Sequence, residues 1–231
     1  MTIFKPEDLA VRKNLWRSLF VIDRFLAASL GRPAAISEED CSGDVLFTPT
    51  DGKRPTVSAA FNHTRNTHAA GLDAAVRSSL VIGDILKKVY SKRRVSTKVA
   101  QEIAERCKMW PPKLDPSLYW RQAMNHEVDA AQGIAILHAN LLYCHSVILL
   151  CRPFFLYLLS KVQQERTSTG GQSTPRFSPR MEKFSEACVQ ASCQTIILVQ
   201  TAYDKNYLPQ RNPFVLWAHP ALFSVPSIPS R

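Results

Sequence analysis

Apolar residues recur at three- and four-residue intervals along almost the whole chain, and the two-residue alternation of a half-buried strand is nearly absent. The pattern is clearest early in the chain, where one line of residues consists of Leu15, Leu19, Ile22, Leu26 and Leu30. Residues at this spacing share one face of an α-helix, whereas a strand would place alternate residues together. The sequence therefore predicts an all-α protein, an irregular multi-helix bundle.

Capping residues and helix breakers divide the pattern into five helical stretches. The first is predicted over about 11–30, with Gly31 as its left-handed terminating residue and Pro33 preventing continuation. The others are predicted over about 57–90, 96–110, 119–150 and 181–203. The fourth is expected to kink at Pro153 and to continue to residue 161.

Segment 130–159 is the one stretch apolar enough to suggest a membrane span. Five polar residues interrupt it, namely Gln132, His138, Asn140, His145 and Arg152. A spanning helix needs about 20 predominantly apolar residues, so a buried helix of a soluble protein is predicted, with no membrane partner. The N-terminus lacks an apolar stretch after a basic start, and a secretory signal is not expected.

Composition narrows the possible partners and cofactors. The net charge of +10 is compatible with an anionic partner, but the basic residues are scattered except for five of the eight in 87–94, a run more typical of a solvated helix end. None of the six cysteines forms a C-x2-C pair, so free, mostly buried thiols in a reducing compartment are predicted. No metal or cofactor is expected in this chain.

No catalytic residue is predicted. The adjacent acids Glu38, Glu39 and Asp40 do not converge on one point, and the neighbours Cys144 and His145 are not spaced like a thiolate–imidazole pair. No phosphate-binding loop, nucleophile elbow or zinc-protease motif is present. An enzyme is therefore the least favoured class.

A polar seam crosses the apolar fourth stretch. His138, His145 and Arg152 are spaced seven apart and share one helix face. Core histidines with satisfied polar atoms are the favoured interpretation. The alternative is a small-molecule-sensing site inside the bundle, for an effector that the sequence does not identify.

The segment around the first helix resembles the signature of the fungal-specific transcription factor domain. This is the middle homology region of fungal binuclear zinc-cluster regulators, or xylanolytic-activator-type regulatory domain. The matching residues are Arg12, Leu15, Trp16, Phe20, Asp23, Arg24, Leu30, Gly31, Arg32, Pro33, Ile36, Ser37, Glu38 and Asp40. We expect Trp16 and Phe20 to anchor the helix in the core, and Asp23 to pair with Arg24, Arg17 or Arg32 and fix the exit into the loop.

Two later segments resemble the same family in the expected order. The first matches a helix of that family through Leu137, His138, Tyr143, His145, Ile148, Arg152, Pro153 and Phe154, with Cys151 as a mild departure. The second is similar to the closing helix and its loop of Asn212, Pro213 and Phe214. The resemblance covers about residues 12–217.

The resemblance implies a non-enzymatic regulatory domain that modulates transcription of RNA polymerase II genes in the nucleus. The family's zinc cluster needs six cysteines at spacings that this chain lacks, so DNA contact is expected only through a missing zinc-cluster domain. Residues 1–217 are predicted to be a partial regulatory domain, incomplete at both ends, and 218–231 a disordered or aberrant tail of a truncated gene product. Exposed core surface would then favour homo- or hetero-association with related regulators, and an interaction fragment is the remaining alternative.

Overall fold

The computed structural model describes residues 5–41, 43–46, 59–91, 96–168 and 177–208. Helices and turns account for these ranges, and no strand occurs within them. The all-α prediction is confirmed.

The helices are bounded as follows. The first three are α1 (Pro6–Leu30), α2 (Gly43–Leu46) and α3 (Ala59–Ile85), the last continuing into a π-helical turn at Leu86–Tyr90. Next are α4 (Thr97–Lys108), two 3₁₀ turns at Pro111–Lys113 and Pro116–Leu118, and α5 (Trp120–Asn125). The last two are α6 (Ala130–Ser168) and α7 (Pro179–Asp204).

Helix α6 is the centre of the bundle. It packs against α3 and α7, while α1 lies on α3. Its C-terminal half contributes to one apolar cluster with α1, α3 and α4, through residues such as Leu150 and Phe154. Its N-terminal half contributes to a second cluster with α5, α7 and the 3₁₀ turns, through residues such as Ile136 and Leu137.

Burial also explains why α6 resembles a membrane span. It contains the one helix segment of the described residues, Ala130–Glu165, that is long and apolar enough to cross a membrane, and 72% of its most apolar window is buried in the protein. The central helix of a soluble bundle has the same composition, because neighbours cover it on several sides. The buried-helix prediction agrees with this packing.

Helix α1 buries a face that carries two arginines. Arg17, Phe20 and Arg24 are buried against α3, whereas the leucine stripe from Leu15 to Leu30 points outward, with exposed fractions of 41–63%. Trp16 is 37% exposed, so the prediction that it anchors the core is wrong, although the same prediction holds for Phe20 at 0%. Apolar spacing identified the helix, but two arginines take the inner face: Arg17 pairs with Asp73 of α3, and Arg24 pairs with its neighbour Asp23 while lying close to Gly83 of α3.

The predicted fourth helix is two helices. The chain leaves helical geometry after Asn125 and restarts at Ala130, where the Asp129 carboxylate accepts the Gln132 backbone N–H at 2.6 Å. An aspartate at this position satisfies one of the N–H groups left open at a helix start. Helix α6 then runs through Pro153 to Ser168 without the expected end near residue 161.

All six cysteines are free, as predicted. Cys107, Cys144, Cys151 and Cys188 are buried, Cys41 is half-buried and Cys193 is exposed. Burial raises the pKa of Cys107 to about 11 and those of Cys144 and Cys151 to about 12. These buried thiols therefore stay protonated and inert at neutral pH.

Candidate functional site

Asp23 of α1 is hydrogen-bonded to the loop that follows the helix, and we call this set of contacts the brace. Its two carboxylate oxygens accept the backbone N–H groups of Ala35 at 2.8 Å and Ile36 at 3.1 Å, and one of them also accepts Arg24 Nη1 at 2.7 Å. Gly31 ends the helix at a φ of 65°, a left-handed conformation that favours glycine. Together these contacts fold the loop back onto the helix that precedes it.

Arg24 contacts Asp23 and also lies at the interface between α1 and α3. Its side chain is buried, and its guanidinium carbon lies 4.3 Å from the centre of the Phe20 ring. A Cβ atom at Gly83 of α3 would lie 2.9 Å from Arg24 Nε and 3.4 Å from a carboxylate oxygen of Glu38. Glycine at this position allows the arginine and the acidic part of the signature to meet α3 closely.

A second charged contact joins the same two helices. Arg17, of which 2% is exposed, pairs with Asp73 of α3. Burial lowers the pKa of Arg17, and the charge of Arg77 lowers it further. The guanidinium nevertheless stays protonated at physiological pH. Of the three partners expected for Asp23, the structure gives Arg24, because Arg17 is bound to Asp73.

Trp16 covers the far end of the loop. Its indole Nε1 donates to the sulfur of Cys41 at 3.3 Å, which ties the helix to the end of the acidic segment. Arg32 and Pro33, which lie in the loop between α1 and Cys41, are exposed. The brace therefore consists of Trp16, Asp23 and Arg24 on α1, with the loop from Gly31 to Cys41 around them.

The residues of the polar seam of α6 differ in burial. His145 is buried beside Phe25, with ring centres 6.2 Å apart, His138 is half-buried and Arg152 is exposed. Burial lowers the pKa of each histidine to about 4, so both are neutral at physiological pH. The three residues therefore lie in different environments along α6, and a ligand site at the seam remains a prediction.

Pro153 is accommodated by a side chain from the end of α3. A proline in a helix cannot donate to the carbonyl four residues earlier, here that of Leu149. The Tyr90 hydroxyl donates to that same Leu149 oxygen at 2.9 Å. The π-helical turn thereby supplies the hydrogen bond that the proline removes.

An open groove of about 500 Å³ lies at the other end of the bundle, where the sequence predicted no site. Trp110 stacks on Tyr143 in its wall, with ring centres 4.4 Å apart and planes inclined by 13°. Arg121, His126 and Gln194 add polar groups. These residues come from distant segments, so no local motif identifies the groove, although its volume is in the range of ligand pockets.

No group of three potential metal ligands occurs within the described ranges. The acidic neighbours Glu38, Glu39 and Asp40 are exposed on the loop, and Glu38, like the buried Arg24, lies close to Gly83 of α3. Asn212, Pro213 and Phe214 lie outside the described residues, as does segment 218–231. The expected roles of these signature residues remain predictions.

Sequence comparison with known proteins finds similarity to regulators from fungi. The chain is 24% identical over 195 residues to filamentous growth regulator 27 of Candida albicans, and 18% identical over 206 residues to a transcriptional regulatory protein of Schizosaccharomyces pombe. It is 23% identical over 171 residues to activator of stress genes 1 of Saccharomyces cerevisiae. The chain is a distant relative of fungal transcriptional regulators.

The similarity covers most of this chain but little of each relative. It includes 82%, 88% and 70% of the chain, against 23%, 23% and 17% of the three regulators. No family model and no solved structure matches. The chain therefore corresponds to one segment of much longer regulators.

Proposed function

We infer that this chain is a regulatory domain of a fungal transcription factor and acts without catalysis. The observation that carries the proposal is the similarity to three fungal regulators along 70–88% of the chain. The packing supports a binding or relay role, because its buried histidines and thiols are neutral and its buried arginines serve helix contacts. Such a domain modulates transcription by RNA polymerase II from within the nucleus.

DNA contact in this proposal belongs to a separate zinc-cluster domain of the full regulator. The chain itself has no cysteine spacing suited to such a cluster. In a gel-shift assay with promoter fragments, we expect the purified chain to give no sequence-specific complex, with or without added zinc. A specific complex would contradict this part of the proposal.

The regulatory role is tested by a reporter gene in yeast. The chain is inserted between a heterologous DNA-binding domain and an activation region, and a flexible spacer of equal length replaces it in the control. We expect the chain to change reporter output at equal protein level and nuclear abundance, since a regulatory domain restrains or relays activation. Equal output from the two fusions would contradict the proposal.

A further inference from the structure

The outward face of α1 carries a continuous line of large apolar side chains. We call these six residues the outer stripe: Val11, Leu15, Leu19, Ile22, Leu26 and Leu30. Their exposed fractions lie between 41% and 67%. At 100° per residue the stripe lies roughly opposite the face that packs on α3. Single exposed leucines are ordinary, but a contiguous apolar stripe is typical of an interaction surface.

The spacing of the outer stripe is symmetric. Successive members are separated by four, four, three, four and four residues, so the pattern is the same in both chain directions. If two copies of α1 pack antiparallel about an axis between residues 20 and 21, Val11 faces Leu30, Leu15 faces Leu26 and Leu19 faces Ile22. A two-fold interface requires such a self-complementary patch, because the same surface is used on both copies.

Charges at the two ends of the stripe favour the same orientation. Asp8 lies on the line of the stripe one turn before Val11, and Arg32 follows Leu30; both are exposed. In the antiparallel arrangement each Asp8 approaches the Arg32 of the other copy. A parallel arrangement would bring like charges together, which is unfavourable.

We propose that a second copy of this chain covers the outer stripe, forming an antiparallel two-helix contact. The stripe is about 29 Å long and, at a helix width of about 10 Å, offers about 300 Å² per copy. The total of about 600 Å² is below the roughly 1,200 Å² of stable specific interfaces, so the dimer is weak and reversible. This inference does not depend on the transcriptional role.

Sedimentation equilibrium of the full chain measures the dimer between about 1 μM and 500 μM. Leu19→Glu places a charge next to the two-fold axis and is expected to raise the dissociation constant at least about tenfold. Leu159→Glu is the matched control, because Leu159 is 43% exposed on α6 and Leu19 is 45% exposed on α1. It is expected to leave the dimer unchanged. Circular dichroism checks that each variant is folded, with Leu19→Asn as a milder substitute for Leu19→Glu.

The orientation is tested with a double variant. Leu15→Glu alone should weaken the dimer, and adding Leu26→Lys should restore it, because the introduced glutamate of one copy then faces the introduced lysine of the other. In a parallel dimer the two introduced glutamates would face each other, and no recovery would occur.

Three further results would overturn the proposal. The first is a chain that is monomeric throughout the concentration range. The second is an association that Leu19→Glu and Leu159→Glu weaken equally, which would indicate nonspecific adhesion. The third is a monomer that dimerises only after deletion of residues 209–231, which would make that segment the occupant of the stripe.

Discussion

At the scale of single residues, Asp23 organises the junction between α1 and the following loop. A carboxylate has capacity for several hydrogen bonds, and here it accepts two backbone N–H groups and one guanidinium N–H. Charge-assisted hydrogen bonds of this kind are roughly twice as strong as neutral ones. Asp23 therefore fixes the path of the loop at Ala35 and Ile36 relative to α1.

Replacing Asp23 with alanine should therefore lower the free energy of unfolding by about 2–4 kcal/mol, because Arg24 would remain buried without this partner. Urea denaturation followed by circular dichroism measures the change. Glu39→Ala is the control, since Glu39 contacts Lys87 only at 3.9 Å and both side chains are at least 80% exposed. We expect less than about 0.5 kcal/mol for the control, and an equal loss in both variants would contradict the assigned role.

The buried histidines make stability depend on pH. Burial lowers the pKa of His145 to about 4 from an ordinary value of 6.5, so between these values the unfolded chain binds more protons than the folded one. Stability is therefore fully present above pH 6.5 and falls as the pH is lowered toward 4. By pH 5 the loss is about 2 kcal/mol for one such histidine.

Substituting His145→Gln should remove this histidine's part of the decline between pH 7.5 and 5, leaving that of His138. His126→Gln is the matched control, because His126 is exposed. Denaturation midpoints at several pH values give the comparison. A wild-type slope retained in the His145 variant would mean that this side chain is protonated in the folded state.

Local chemistry was predictable from sequence where partners are close along the chain. The Asp23–Arg24 contact joins adjacent residues, and Gly31 adopts the conformation expected after a helix. The pairing of Arg17 with Asp73 joins residues 56 positions apart, and no local pattern identifies it. The same limit applies to Trp16, which was predicted to anchor the core together with Phe20, although only Phe20 is buried.

At the scale of helices, α6 continues through Pro153 because another element repairs its hydrogen bonding. A proline within a helix costs about 3 kcal/mol or more through a lost hydrogen bond and a steric clash. The Tyr90 hydroxyl satisfies the Leu149 carbonyl, which recovers part of that cost. Tyr90 and Pro153 thus act as a pair although they belong to different helices.

A double-mutant cycle measures this pairing. Tyr90→Phe should cost about 1 kcal/mol in the wild-type chain, because the Leu149 carbonyl loses its donor. In the Pro153→Ala background the alanine N–H can donate to that carbonyl, and the same substitution should cost less than about 0.5 kcal/mol. Additive effects, with a coupling energy near zero, would contradict the pairing.

Helices were predicted better than their ends and orientations. Periodicity located α1, α3, α4, α6 and α7, but the boundary at His126–Asp129 was missed because apolar spacing continues across it. It also failed to identify the inner face of α1, since a stripe of leucines has the same spacing whether it faces the core or a partner. The inner face depends on the pairing of Arg17 with Asp73 of α3, which is a property of the tertiary structure.

At the scale of the whole molecule, α6 connects the two apolar clusters, and α1 with its loop lies at the edge of one of them. The brace is therefore fixed to the core on one side and presents exposed residues such as Arg32 on the other. An all-helical bundle could be predicted from periodicity alone. The groove beside Trp110 could not, because its walls form only when separate segments pack.

We propose that the folded bundle regulates transcription only while its brace is intact. The most direct measurement is reporter output from three-part fusions that carry the wild-type chain, Asp23→Ala or Glu39→Ala between the DNA-binding domain and the activation region. At equal protein levels, we expect Asp23→Ala to shift output toward that of the flexible spacer, and Glu39→Ala to match wild type. Identical output from Asp23→Ala and wild type, with the variant shown to have lost the brace, would contradict the claim.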